Sequence, residues 1–175
     1  MRFVLIGQAG SGKDTVADYL IGAYGFIKKA FADALKVEAA AYNPERYKND
    51  RRAYLQEYGE KMRNLHGEDY WVHKLFNTFT YDEPFIVITD CRYPNEYSRC
   101  IDEGFIPVKI NCDTMTRQGR LFMRDGKQMS IAELSHVSEQ LNVPCDYHLD
   151  NNYEFRVLYE QVEKMVAKEV KKCVR

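Results

Sequence analysis

The chain has 175 residues, of which 45% are hydrophobic and 29% are charged. These values fit one globular domain that buries a full core better than they fit two domains. The formal net charge of -1 provides no overall positive field, which counts against a broad nucleic-acid-binding surface.

The cysteines, histidines and apolar runs indicate a cytoplasmic protein without a membrane partner. The five cysteines are scattered without a CxxC pair, which is typical of free thiols in a reducing compartment. The four histidines form no HExxH-type metal motif. The first apolar run, of about five residues, is too short for a signal peptide or a membrane span.

A strand, a glycine-rich turn and a helix open the chain. Phe3–Ile6 is a short apolar run that predicts a buried strand. The segment from about 12 to 24 carries apolar residues at i, i+3, i+4 and i+7 from Ala17, which predicts a helix. Between them lies GQAGSGKDT, residues Gly7 to Thr15, which we call the glycine loop.

Strands and helices alternate along the rest of the chain. We predict an α/β fold in which helices flank a parallel sheet with right-handed crossovers, and Asp33 as the N-cap of the second helix. The remaining predicted elements are a weak strand at 26–32, helices at 33–42, about 50–64 and 69–79, a central strand at 85–88, a helix at 94–103, a strand at 105–110, a helix near 131–134, a short strand at 147–149 and a closing helix from 155 to about 170.

The glycine loop has the spacing of a phosphate-binding P-loop. Successive backbone N–H groups and a helix N-terminus bind phosphate oxygens, and Lys13 neutralises the β- and γ-phosphates. The bland alternative is a glycine-rich turn that only joins strand to helix. The residues predicted to bind ATP are Gly10, Ser11, Gly12, Lys13, Asp14 and Thr15.

Asp14 stands where most P-loops have Ser or Thr directly after the lysine. A carboxylate there can orient Mg²⁺ directly or through water, and Thr15 can reach a phosphate oxygen from the next position. Adenylate kinases carry GKGT at this place, so the departure favours a small-molecule kinase over a GTPase or a motor ATPase.

A second carboxylate and an arginine follow the strand at 85–88. Asp90 lies where a Walker-B-type aspartate holds Mg²⁺, at the carboxyl edge of the sheet. Arg92 could clamp the acceptor's phosphate by a bidentate contact. The alternative for Asp90 is a simple cap at the end of a strand.

Basic residues in the polar segment 113–130 predict a mobile lid. Arg117, Arg120 and Arg124 would share one helical face. Arg120 and Arg124 are assigned to catalysis, because lid arginines spread charge over transferring phosphates. The alternative is a solvated charged face.

The helices between about 33 and 80 supply candidates for binding the acceptor. A glutamine can bond a base edge with one donor and one acceptor, whereas arginines bind phosphate. Each of these residues taken alone is an ordinary surface residue, and Trp71 is interpreted as core. The candidates are Asp33, Lys36, Arg51, Gln56 and Arg63.

Five stretches together resemble a known family: GQAGSGKDTVADYL, AFADALK, LQEYGEKMR with EDYW after it, VITDCRYPNE and HVSE. In this order they resemble the deoxynucleoside monophosphate kinases of bacteriophages, in the P-loop nucleoside monophosphate kinase group, from residue 3 to about 150. The resemblance implies transfer of the ATP γ-phosphate to a deoxynucleoside monophosphate (dNMP) with Mg²⁺, in the cytoplasm of a host if the source is a phage. Many kinases of this group form homodimers.

The resemblance also implies an organisation and roles for individual residues. It implies one P-loop kinase domain over 1–175, with a helical NMP-binding region at about 33–80, called the acceptor region below, and a lid at about 113–130. It places Lys13, Asp14 and Thr15 in the ATP and Mg²⁺ site, Asp33, Lys36, Gln56 and Arg63 in the acceptor region, and Asp90 and Arg92 beside the phosphates. His136, Ser138 and Glu139 match HVSE, and support of the lid or acceptor by His136 and Glu139 is a hypothesis.

Three rival functions stay open at this point. Phosphomevalonate kinases also carry a GKD loop, so another small-molecule acceptor is one. A kinase of modified bases within DNA is the second, against which the near-neutral charge counts. A nucleotide-binding regulator without turnover is the third.

Overall fold

The computed structural model describes residues 1–80, 82–126 and 141–173. Within those ranges, strands and helices alternate as the apolar runs predict. In chain order the elements are β1 (Arg2–Ile6), α1 (Lys13–Tyr24), β2 (Ile27–Lys29), α2 (Ala32–Tyr42), α3 (Pro44–Asn49), α4 (Arg51–His66), α5 (Tyr70–Phe76), β3 (Ile86–Ile88), α6 (Pro94–Asp102), β4 (Ile106–Asn111), α7 (Thr114–Asp125), β5 (Tyr147–Asp150) and α8 (Phe155–Cys173).

The five described strands form one parallel sheet in the order β2-β3-β1-β4-β5. Phe3 of the central strand pairs with Val87 on one side and Ile106 on the other. All the carboxyl ends therefore lie at one edge, called the carboxyl edge below. The predicted α/β fold with a parallel sheet is confirmed.

Alternate residues of β1 pack into cores on opposite faces of the sheet. Phe3 and Leu5 join a cluster with residues of α1 and α8, whereas Val4 joins a cluster with residues of α5 and α6. All three side chains are completely buried. Burial on both faces is what a continuous apolar run in a parallel sheet requires.

The acceptor region has a small core of its own. Ala39, Tyr54, Tyr58 and Trp71 form a buried cluster between α2, α4 and α5. The indole nitrogen of Trp71 donates to the carbonyl of Gly59 at 3.1 Å. Trp71 is therefore a core residue with its polar atom satisfied, as predicted.

One helix in this region was not predicted, and one predicted cap is wrong. Asn43–Pro44 begins a new helix, α3, because the Asn43 side chain accepts from the Arg46 N–H at 3.0 Å and proline is tolerated in a first turn. Asp33 is not the N-cap of α2, which begins at Ala32. Asp90, a residue distant in sequence, accepts the N–H bonds that open this helix.

The described residues test most of the remaining sequence predictions, and the others lie outside them. β2 is shorter than the predicted strand at 26–32, and the other boundaries shift by one to three residues. The predicted helix near 131–134 and the HVSE stretch lie outside the described residues. Cys91, Cys100, Cys112 and Cys145 are free thiols. In the described part of the chain, no helix combines the length and apolarity needed to cross a membrane.

Candidate active site

The glycine loop wraps at the carboxyl end of β1 and needs glycine at two positions. Gly10 and Gly12 have φ values of 78° and 99°, in the left-handed region that side chains disfavour. A Cβ on Gly12 would lie 2.0 Å from Nδ2 of Asn151. α1 begins directly after the loop, and no side chain in the described ranges caps its N-terminus. Its first N–H groups and the helix dipole therefore suit an anion.

Lys13 is held against the start of its own loop. Its ammonium donates to the carbonyl of Gly7 at 2.5 Å and to that of Gln8 at 3.1 Å. The charge of Lys13 thus lies beside the residues that follow β1, where the predicted phosphates would bind.

Asp14 pairs with a lysine that the sequence reasoning did not single out. Lys28 Nζ of β2 lies 2.6 Å from an Asp14 oxygen, and 73% of the Asp14 side chain is exposed. Partial burial raises the pKa of Asp14, but the bond and charge of Lys28, with the charges of Lys13 and Arg124, together hold it below its usual range. The only sequence signal for Lys28 is its position on a weak strand that ends at the carboxyl edge.

Asp90 joins the end of β3 to the start of α2. Its two carboxylate oxygens accept from the N–H groups of Phe31 at 2.8 Å and Ala32 at 2.9 Å. Burial raises the pKa of Asp90, against the opposing effect of these two N–H groups. These contacts cap the start of α2, not the end of a strand as in the alternative above. Each oxygen keeps a further lone pair, so the Mg²⁺ role stays a prediction.

A third carboxylate, Glu96, lies buried beside Arg92 and was missed as a site residue. One Glu96 oxygen accepts from the N–H groups of Arg92 at 2.8 Å and Tyr93 at 3.1 Å. Its other oxygen lies 3.5 Å from Nη2 of Arg63. Glu96 thus joins the side chain of Arg63 on α4 to the backbone of Arg92 after β3.

Burial raises the pKa of Glu96 to about 7. The N–H groups of Arg92 and Tyr93 and the charge of Arg63 lower this pKa, whereas the nearby Asp90 carboxylate raises it. Glu96 is 3% exposed. The signal in the sequence was its place in VITDCRYPNE, three positions into a helix that begins with proline, where a glutamate accepts N–H bonds.

The arginines of the predicted lid lie on α7, which packs beside the glycine loop. Arg117 is 4% exposed and donates to the carbonyl of Ala9 at 3.3 Å. Arg120 donates to the carbonyl of Asn151 at 3.0 Å. Arg124 is exposed and its charge acts on Asp14. Among the interactions described for these three arginines, the one with the Asp14 carboxylate of the glycine loop is made by Arg124.

Asn151 holds the glycine loop by a hydrogen bond, and the sequence analysis did not identify it as a site residue. It is 1% exposed, and its side-chain amide donates to the carbonyl of Ser11 at 2.8 Å. Its backbone N–H donates to Asn111 at the end of β4. Because an asparagine after a short strand is also common in ordinary turns, no pattern in the sequence could have singled it out.

Of the other predicted acceptor residues, Asp33 lies near the carboxyl edge, where its charge acts on Asp90 and Lys28. No contact between described residues draws Arg51 or Gln56 to that edge. Lys36 pairs with Asp33 at 3.3 Å on the exposed side of α2. Arg51 lies over the Tyr47 ring at 4.8 Å, and Gln56 is exposed on α4. His136 and Glu139 lie outside the described residues.

The donor set suits Mg²⁺ held together with phosphates. Among the described residues, no three His, Cys, Asp or Glu side chains cluster as a metal cage. Mg²⁺ in phosphoryl-transfer sites is bound through one or two carboxylates, waters and substrate phosphates. Asp14 and Asp90, the two predicted ligands, match that chemistry.

Comparisons with known proteins support the fold over nearly the whole chain, whereas the likeness to a nucleotide kinase covers one short stretch. No protein-family model matches the chain. Over 32 residues it is 62% identical to a protein of Acanthamoeba polyphaga mimivirus named "Putative deoxynucleotide monophosphate kinase". That stretch is 18% of this chain and spans only 17% of the mimivirus protein.

The solved structures that match over nearly their whole length include two small-molecule kinases. A gluconokinase from Sinorhizobium meliloti has a TM-score of 0.67 at 17% identity, covering 99% of this chain and 95% of the other. A shikimate kinase from Acinetobacter baumannii, solved with shikimate, has a TM-score of 0.61 at 12% identity with the same coverage. The chain therefore has the P-loop kinase fold.

Proposed function

We propose that this protein transfers the γ-phosphate of ATP to a deoxynucleoside 5′-monophosphate, giving ADP and the dNDP. The observation that carries the proposal is that the glycine loop and Asp90 follow neighbouring parallel strands, β1 and β3, and that Glu96 joins the Arg63 side chain to the backbone of Arg92. The 32-residue likeness to the mimivirus protein and the family resemblance of five separate stretches support a nucleotide acceptor.

On the donor side, the glycine loop binds the phosphates of ATP. The N–H groups at the start of α1 and the charge of Lys13 neutralise the β- and γ-phosphate oxygens. Asp14 and Asp90 would hold Mg²⁺, which would supply positive charge beside the phosphates. Lys28 competes for Asp14, so it must release the carboxylate or share it.

On the acceptor side, Arg63 and Arg92 bind the phosphate of the dNMP. Arginine suits this role because its planar guanidinium meets two phosphate oxygens at once. Gln56, Asp33 and Lys36 belong to the same region, in which we assign them to the nucleoside part. Arg120 and Arg124, in the lid at about 113–130, complete the charge around the transferred group.

The reaction needs no covalent intermediate on the protein. An oxygen of the acceptor phosphate attacks the γ-phosphorus, and the bond from that phosphorus to the β–γ bridging oxygen breaks. The bridging oxygen leaves with ADP, and its negative charge is neutralised by Lys13. Catalysis is then positioning and electrostatic stabilisation.

A coupled ADP-release assay tests the proposal. ATP and Mg²⁺ are supplied with dAMP, dGMP, dCMP, dTMP or modified dNMPs in separate reactions, with ribonucleotides, gluconate and shikimate as controls. Release with one or more dNMPs above the ATP-only background is expected. ATP binding with no release would favour a regulator, and release only with gluconate, shikimate or another non-nucleotide would assign a different acceptor.

A further inference from the structure

Two carboxylates on either side of Arg92, Asp90 in the loop after β3 and Glu96 in the first turn of α6, bond to two different helices of the acceptor region. Asp90 accepts from the first N–H groups of α2, and Glu96 faces Arg63 of α4. The loop after β3 is thus attached on both sides to the acceptor region. Glu96 contacts Arg63, an arginine that we assign to the acceptor phosphate.

The contacts of Arg63 restrict its guanidinium to one place. Its central carbon lies 4.1 Å from the centre of the Tyr93 ring, and Nη2 lies 3.5 Å from Glu96 Oε1. About a fifth of the side chain is exposed (21%). A guanidinium held between a ring and a carboxylate loses little further rotamer freedom when it binds an anion.

We propose that Glu96 is a positioning residue, which holds the Arg63 guanidinium in place to receive the acceptor's phosphate. The inference rests on the proposed function, because the phosphate is that of the dNMP. Two N–H donors and the Arg63 guanidinium offset the cost of burying the Glu96 carboxylate. A helix cap needs only the two donors, so the pairing with Arg63 goes beyond capping.

The charges that act on Glu96 come from Arg63 on α4 and from Asp90 after β3. Arg92 and Tyr93 face the carboxylate with backbone N–H groups. Because burial holds the pKa of Glu96 near 7, kinetics are best measured at about pH 8, where the carboxylate is ionised.

Glu96→Gln separates a positioning role from a capping role. Glutamine keeps an oxygen for the N–H groups of Arg92 and Tyr93, but it presents an uncharged amide to Arg63. Glu169→Gln is the matched control, because Glu169 is also buried (6% exposed) and also pairs with a basic residue, Lys172, on α8.

We expect Glu96→Gln to raise the KM or Kd for the dNMP about tenfold or more, with little change in the KM for ATP. Glu169→Gln should leave both constants unchanged. Calorimetric titration of dNMP into each protein gives a readout independent of turnover. An unchanged dNMP affinity in folded Glu96→Gln, beside an active wild type, would overturn the inference while leaving the proposed function intact.

A double variant keeps the test decisive if Glu96→Gln does not fold. Arg63→Gln and Arg63→Gln/Glu96→Gln are compared, since two amides can hydrogen-bond where the ion pair was. Equal dNMP affinities support Glu96 acting through Arg63. A further loss of about tenfold in the double variant would mean independent roles and overturn the inference. A wild type that neither binds nor phosphorylates any dNMP would overturn the proposed function first.

Discussion

The side-chain amide of Asn151 donates a 2.8 Å hydrogen bond to the carbonyl of Ser11, although 140 residues separate them in the chain. The bond joins the end of β5 to the glycine loop at the carboxyl edge. The geometry of the predicted phosphate site therefore depends on the last strand of the sheet as well as on the loop.

Asn151→Ala should weaken both the fold and ATP binding. It leaves the buried Ser11 carbonyl without this donor, which costs about 1–3 kcal/mol of unfolding free energy. We expect a raised KM for ATP and a lower melting temperature, measured by coupled assay and calorimetry. Asn142→Ala, at an exposed asparagine, serves as the control. Equal effects of the two changes would contradict a role for Asn151 in the loop.

Gly12→Ala should abolish ATP binding. The new Cβ would lie 2.0 Å from Nδ2 of Asn151, at a φ of +99°, and such backbone strain costs on the order of 1–3 kcal/mol. Gly22→Ala is the control, since a Cβ there meets nothing within 4 Å. That control should raise stability by about 0.5–1 kcal/mol, because alanine favours a helix interior. Titration of ATP into both variants decides the matter, and near-normal binding by Gly12→Ala would be inconsistent with this geometry.

Replacement by methionine should lower mainly the stability at Arg117 and mainly the kcat at Arg124. Arg117 is buried and bonded to the glycine loop, so Arg117→Met should mainly lower the melting temperature. Arg124 is exposed, so Arg124→Met should change the unfolding free energy by no more than about 0.5 kcal/mol. If Arg124 acts on the transferring phosphates, its loss should lower kcat about tenfold or more. Unchanged kcat in Arg124→Met would remove it from the catalytic set.

Glu96 should make the protein less stable as pH rises toward neutrality. Burial raises its pKa from an ordinary 4.5 to about 7, so the folded chain binds this proton more tightly than the unfolded chain does. The resulting stabilisation is complete below about pH 4.5 and is lost as pH rises through about 7; it amounts to about 3 kcal/mol.

Glutamine does not titrate, so Glu96→Gln should lack this loss. Urea unfolding of both proteins at several pH values between about 4.5 and 8 measures the difference. The wild type should lose stability relative to the variant across that window. A difference that is independent of pH would show that Glu96 ionises at its ordinary value.

Patterns within a few residues of one another predicted most of the fold. Phe3–Ile6 and 85–88 are continuous apolar runs, and only a strand buried on both faces accommodates them. The glycine loop was also readable, because its spacing, preceding strand and following helix are all local. The prediction for Asp33 was wrong because it used local sequence alone. Asp33 resembles an N-cap, but the N–H group of Ala32 at the start of α2 donates to Asp90, 58 residues away.

Contacts made only by the fold account for what the sequence could not predict at the site. Lys28, Glu96 and Asn151 act through partners on other elements. Each is an ordinary residue for its local pattern, so neither spacing nor composition distinguishes it. Their partners are visible only in the folded structure, in which the ends of β1, β2, β3 and β5 lie at one edge of the sheet and α4 contacts Glu96.

Transfer of the label from γ-³²P-ATP to a dNMP tests the central claim most directly. The wild type should convert the dNMP to labelled dNDP, identified by chromatography, and Lys13→Ala should lose nearly all of this transfer while keeping its circular dichroism spectrum. Labelled inorganic phosphate alone, or near-normal transfer by Lys13→Ala, would contradict the account.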